Sequence, residues 1–274
     1  DWSWGKIHAV HLKPVGSSYT ATKETFITGS PLPVTDVIIH PDDRAMYFTI
    51  GGRKVQSGIY RVTYTGKQST APLGEPAMHY GRLKRHQLEE FHGVQHKDAV
   101  KTAWPHLNHK DRFVRWAAMT AIMHQPFEEW KSRAFGEKDH NKRVVALLAL
   151  CKVVGSDPQN RKPDAPAGLP NPDRALVTAI FKSLSKVKWD QLDHQGKLTL
   201  VRAYQIALVR FGEPNSRAIT RIIDQLDPHF PALNFEQNWL LCETLAYLQA
   251  PSTAAKGIKL LKEAATQEEQ IEYA

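Results

Sequence analysis

A switch in hydrophobic periodicity, between residues 65 and 85, constrains this chain more than any other feature. Before it, apolar residues alternate with a period of two; after it, they recur at i, i+3, i+4 and i+7. A chain that changes period once, in that order, folds as a small β part followed by a larger helical part. The β-like runs are "KIHAVHL", "SYTATKETFI", "TDVIIH" and "AMYFTI", followed by the strand that contains Tyr60, Val62 and Tyr64. Met46, Phe48 and Ile50 share one strand face, and Tyr60, Val62 and Tyr64 share another. Pro41-Asp42-Asp43-Arg44 reads as a turn. Together these runs predict an antiparallel meander of four or five strands, too small to bury a core by itself.

Residues 66–84, "GKQSTAPLGEPAMHYGRLK", hold three Gly and two Pro without periodicity and read as a linker. Helical patterning starts at about residue 85. Val114, Ala117, Ala118, Ala121 and Ile122 line one helix face. Pro126 opens the next helix, with Phe127 and Trp130 three apart. "KRVVALLALCKVV" (142–154) is apolar nearly all round, which predicts a central helix. The Pro-rich stretch 155–173 reads as a long exposed loop. Further helices are predicted at 173–186, 194–211, 215–227, 235–250 and 252–265. Ile219, Ile222, Ile223 and Leu226 line one of their faces; Ala254, Ile258, Leu261 and Ala265 line another. Paired helices with short turns are the pattern of an αα-repeat solenoid, here of about four to five pairs. The predicted class is α+β, mainly α: a β-meander over 1–66, a linker over 67–84 and an α-solenoid over 85–274.

Charge and cysteine usage narrow the function classes. The chain of 274 residues carries 36 basic and 28 acidic side chains, a net charge of +8. Residues 1–67 hold 8 basic and 5 acidic groups and the remainder 28 and 23, so the excess is spread out except for "GRLKRH" at 81–86. Without an RNP, zinc-finger or helix-turn-helix pattern, this argues against a nucleic-acid partner. No apolar run reaches about 18 residues, so no membrane span is expected. Cys151 and Cys242 lie in helical patterns outside any CxxC or CxxCH, and read as buried thiols. The N-terminus starts within a strand-like run. The C-terminus stops in a helix opened by a capping box of Thr266 and Glu269. The expectation is an interior piece of a longer protein.

Few residues nominate a site. His8 and His11 fall on opposite faces of one strand. His92 and His96 have the helical i, i+4 spacing of two metal ligands, but "HGVQH" lacks the Glu of HExxH and Gly93 weakens the helix. His106 and His109 read as exposed turn residues. Trp104, Trp116, Trp130 and Trp239 read as core or inter-repeat packing, and the two rings of "WSW" (2–4) as one strand face. Glu128-Glu129 and Glu268-Glu269 suit helix starts rather than acid–base work. The basic stretch is "GGRKVQSG", where Gly51, Gly52 and Gly58 surround Arg53 and Lys54. By its residues alone it is a connecting loop with positive-φ glycines and solvated charges.

"HKDRFVRWAAMTAI" resembles the first helix of a HEAT repeat. "LPVTDVIIHPDDRAMYFTIGGRKVQSGIYRVTY" resembles the closing part of a six-bladed propeller of the glucose/sorbosone dehydrogenase type. "AWPHLNHKDRFVRWAA", "LDPHFPA", "NWLLCETLAYLQAP" and "TQEEQIEYA" resemble segments of the planctomycete-type haem-binding "membrane-bound dehydrogenase domain" proteins, in which the same two parts occur in this order. The resemblance implies that 1–66 is a partial propeller blade and 85–274 a HEAT-like repeat domain. It implies a non-catalytic scaffold between the missing propeller blades and a cytochrome c domain of a periplasmic or secreted sugar or alcohol dehydrogenase-like parent. That parent would use haem c and a quinone cofactor, and this segment would hold neither. It further implies that Arg53 and Lys54 contact an acidic cofactor, for which arginine is suited by its bidentate fork. The alternative reading is an independent α-solenoid that grips a protein or a polysaccharide.

Overall fold

The computed structural model describes residues 1–52, 54–72, 74, 79–155 and 173–274. They form two compact units, Asp1–Leu83 and Lys84–Ala274. The fold class is α+β and mainly helical.

The first unit carries two sheets instead of one meander. β1 (Lys6–Val15) and β2 (Ser18–Thr28) form an antiparallel pair, closed by Gly16 (φ +57°) and Ser17. β3 (Val34–Ile39), β4 (Met46–Gly52) and β5 (Val55–Val62) form a separate antiparallel sheet with β4 central. The break falls at Gly29-Ser30-Pro31-Leu32-Pro33, where two prolines lack the N–H that a ladder requires. The 40–45 turn is held by Asp43, whose carboxylate accepts from Ala45 N (3.0 Å), the Tyr47 hydroxyl (2.8 Å) and Arg61 Nη2 (3.1 Å). These bonds, the backbone one first, hold the Asp43 carboxyl below its ordinary pKa. Phe48 and Ile50 are buried as the alternation predicts, and Phe48 stacks on its cross-strand partner Tyr60 at 4.9 Å.

"WSW" is not a strand. Asp1 Oδ1 accepts from Trp4 N (3.1 Å) and Gly5 has φ +61°, so the chain turns before β1 begins. The linker prediction also runs too long: α1 (Tyr80–Glu89) starts inside it. Gly81 lets this helix approach the β1–β2 turn, because a Cβ there would lie 2.9 Å from the Gly16 carbonyl carbon. The buried Arg82 guanidinium lies over the Tyr19 ring at 4.9 Å. Tertiary contacts thus decide a helix start that its glycine opposes.

The second unit contains α2 (Ala99–Ala103), α3 (Arg112–Met123), α4 (Lys131–Gly136), α5 (His140–Val154), α6 (Arg174–Leu184), α7 (His194–Phe211), α8 (Ser216–Leu226), α9 (Phe235–Tyr247), α10 (Thr253–Glu263) and α11 (Gln267–Tyr273). Pro126 leads into a 3-10 turn, Phe127–Glu129, before α4. Apart from its ends, Gly155 and Asp173, the Pro-rich 155–173 stretch lies outside the described residues. α3, α5, α7 and α9 each pack on the next, and α6 and α8 lie beside them. α5 is the centre: Val144, Val145, Ala146, Leu147, Ala149, Leu150 and Cys151 are all buried. No described helix is long and apolar enough to cross a membrane.

α10 is rotated from its predicted face. Thr253 and Gly257 are buried, while Ala254 is exposed, Ile258 is 53% exposed and Leu261 is half-buried; Ala265 lies beyond the helix. Two contacts set this rotation. Gly257 faces Cys242 Sγ on α9, at 3.6 Å from an ideal Cβ position, and Lys256 Nζ reaches both the carbonyl (2.8 Å) and carboxylate (2.9 Å) of Asp227.

Candidate functional site

The predicted histidine pair does not converge. Residues 91–98 lie outside any helix, Gly93 has φ +76°, and the two side chains serve different partners. His92 Nε2 bonds the Ala117 carbonyl (2.9 Å), whereas His96 Nδ1 accepts from Asp98 N (3.2 Å). Among the described residues no group of three or more His, Cys, Asp or Glu could hold a metal. Burial pushes the Cys151 thiol up to about 12 and raises the Cys242 thiol as well, so neither is a poised nucleophile.

Arg53 lies outside the described residues. Lys54 is exposed with φ +65°, and Gly52 on one side already pairs with Val55 on the other, so the chain reverses tightly there. Trp2 flanks this turn: its Nε1 donates to the Gly51 carbonyl (3.3 Å), and a Cβ on Gly52 would sit 3.5 Å from its ring.

The indoles divide into two kinds. Trp104 and Trp130 are buried, donating to Glu137 Oε2 (2.7 Å) and the Gln125 carbonyl (3.3 Å). Trp116 and Trp239 are not core, at 58% and 39% exposed. Trp116 sits on α3 beside the predicted stripe of Val114, Ala117 and Ala118, and that stripe supplies the burial. Its ring, with Phe113 one turn earlier, borders a groove of about 720 Å³ over α3, α5 and α7, reaching Leu240 of α9.

Each helix supplies one row to this groove. α3 contributes Arg112, Phe113, Arg115, Trp116 and Met119; α5 contributes Val145 and Leu148; α7 contributes Gln195, Leu198, Thr199 and Arg202. N-caps fix the helices that carry these rows. Asp111 accepts from Phe113 N, Asp139 from Lys142 N and Asp193 from Gly196 N. One further turn along the α5 row, Lys152 Nζ lies over the Trp116 ring, 5.0 Å from its centroid. Burial lowers the Lys152 pKa, and the nearby positive charges of Arg210 and Arg202 lower it further. Burial lowers the Arg115 pKa, the carboxylates of Asp193 and Asp111 oppose that and Arg112 adds to it; the side chain donates to the His109 carbonyl (2.7 Å).

Among the described residues, the lining side chains include no carboxylate, imidazole or thiol. They can hold an apolar group and an anion together, and they offer no general base. Sequence reasoning missed this groove, although "RFVRW" at 112–116 displays its signal: Arg112, Phe113, Arg115 and Trp116 all flank Val114, the only one of the five that is buried. A second depression of about 1000 Å³ lies over α6, α7 and α8. Its rim includes Arg174, beside the undescribed 156–172, so its lining is incomplete among the described residues. No protein-family model, curated protein or solved structure matches the chain.

Proposed function

We propose that the chain is a non-catalytic scaffold whose helical unit binds a protein partner across α3, α5 and α7. The observation that carries this reading is the groove itself, with exposed Trp116 and Phe113 set among arginines over an aliphatic floor. Exposed aromatic and arginine side chains around an apolar centre are the composition of protein interfaces. The succession of α3, α5, α7 and α9 supports a HEAT-like solenoid as the finer description of this unit.

The resemblance supplies a larger setting: a partial propeller blade and a helical scaffold that link propeller and cytochrome c parts of a periplasmic, dehydrogenase-like protein. The sparse core of the first unit supports it. Ala45, Phe48 and Ile50 are its buried hydrophobic residues among those described, while Val37, Ile38, Ile39 and Ile59 are exposed. In that setting a cofactor contact at Arg53 and Lys54 would belong to the assembled parent.

Site-specific photo-crosslinking from position 113 in cells that produce the protein tests the scaffold reading. One discrete protein adduct is expected, reduced in Trp116→Ala. Crosslinks only to lipid or solvent, or sugar- or alcohol-dependent dye reduction by the chain alone, would overturn it.

A further inference from the structure

Resting on the protein-binding reading, we propose that the groove over α3, α5 and α7 takes an acidic protein segment anchored by an apolar side chain. Three arginines, Arg112, Arg115 and Arg202, line it, and among the described residues no carboxylate does. Among the described residues, no ion pair involves any of them or Lys152. Arg202 donates Nη1 to the neutral Gln205 Oε1 (2.9 Å), which uses one donor of five and neutralises nothing. Glu243 on α9 is engaged elsewhere, accepting from Gln205 Nε2 (2.8 Å).

Like charges therefore crowd one another here. Lys152 feels Arg210 and Arg202; Arg115 feels Arg112, with Asp193 and Asp111, which do not line the groove, acting in the opposite sense. A carboxylate entering the groove relieves that repulsion, and the guanidinium fork matches it in two hydrogen bonds. The apolar half of the site sets the rest of the ligand. Met119, Val145 and Leu148 form an aliphatic floor, with the exposed Trp116 at its edge. That floor suits a leucine or aromatic side chain inserted between flanking acids. It offers little to a sugar–phosphate chain, which needs a continuous cationic track and stacking platforms.

Selection from a random-peptide phage library against the intact chain tests this. Synthetic copies of the selected peptides are titrated against wild type, Arg112→Glu/Arg202→Glu, Arg112→Lys/Arg202→Lys and Trp116→Ala, with single-stranded oligo-dT as a parallel probe. Both arginines are exposed, so the reversal variant should keep the wild-type far-UV spectrum. Selected peptides should combine Asp or Glu with Leu or an aromatic residue. The double reversal should weaken them at least about tenfold, and the lysine pair should recover much of that loss. Neutral or basic peptides that weaken only in Trp116→Ala would overturn the acidic occupant and leave the protein-binding reading standing. Tighter binding of oligo-dT than of any peptide would overturn the peptide class. Selected peptides indifferent to all three variants would overturn both.

Discussion

Short polar side chains in front of the helices are the residues that most directly set local structure. Asp111, Asp139, Asp173, Asp193, Asn215, Asn234 and Thr266 each accept a hydrogen bond from a backbone N–H in the first turn. Each such cap is worth about 1 kcal/mol. Of the seven, the sequence reading picks out the Thr266–Glu269 box alone; the side chain of that Glu bonds Ala265 N, one residue earlier than the motif requires. Glu137 shows how a partly buried residue departs from such rules. Burial raises its pKa, but the bonds from Trp104 and the Asp139 and Lys138 backbone, with the charge of Lys142, outweigh burial and bring it below the ordinary value. Its ionised form therefore stabilises the fold above the ordinary carboxylate range, and that contribution is lost as pH falls through the lowered folded value. Wild type should exceed Glu137→Gln in urea midpoint at neutral pH, with the difference closing in acid; a gap that widens in acid would contradict this. The thiols give a second check. Cys151 and Cys242 are buried, so Ellman's reagent should label neither in native protein and both in denaturant.

Elements differ in how far pattern alone places them. α5 is apolar all round, and its burial follows, since such a helix is stable only when surrounded. Leu150→Ala should cost about 2–5 kcal/mol, because α3 and α7 pack against α5 and cannot close the cavity freely. Urea denaturation measures this, and a loss under about 1 kcal/mol would contradict the central placement. α10 is the opposite case. Its alanines and Ile258 formed a plausible stripe, but Gly257 and Lys256 turn another face inward. A glycine counts as nothing in a hydrophobic pattern, yet it permits the closest helix approach. In the β region, alternation revealed the strands but not their partition, which two prolines impose.

At the scale of the whole molecule, each unit has its own buried side chains: Ala45, Phe48 and Ile50 in the first, and the cluster from Leu88 onward in the second. Phe48→Ala should therefore weaken the first unit by about 3–5 kcal/mol while leaving the thermal midpoint at 222 nm, dominated by the helices, within a few degrees of wild type. A single transition shifted as a whole would show that the units unfold together.

Periodicity, caps and breakers by themselves determined the order of β and helical parts, the central place of α5 and the span of most later helices. These follow from local sterics and from which face of one element must leave water. The tertiary structure alone decided the two-sheet partition of the strands, the start of α1, the rotation of α10 and the exposure of Trp116. It also brought Arg112, Lys152 and Arg202 from three helices to one side. Those outcomes depend on which side chains meet across elements far apart in sequence, and single-helix periodicity carries no information about the partner.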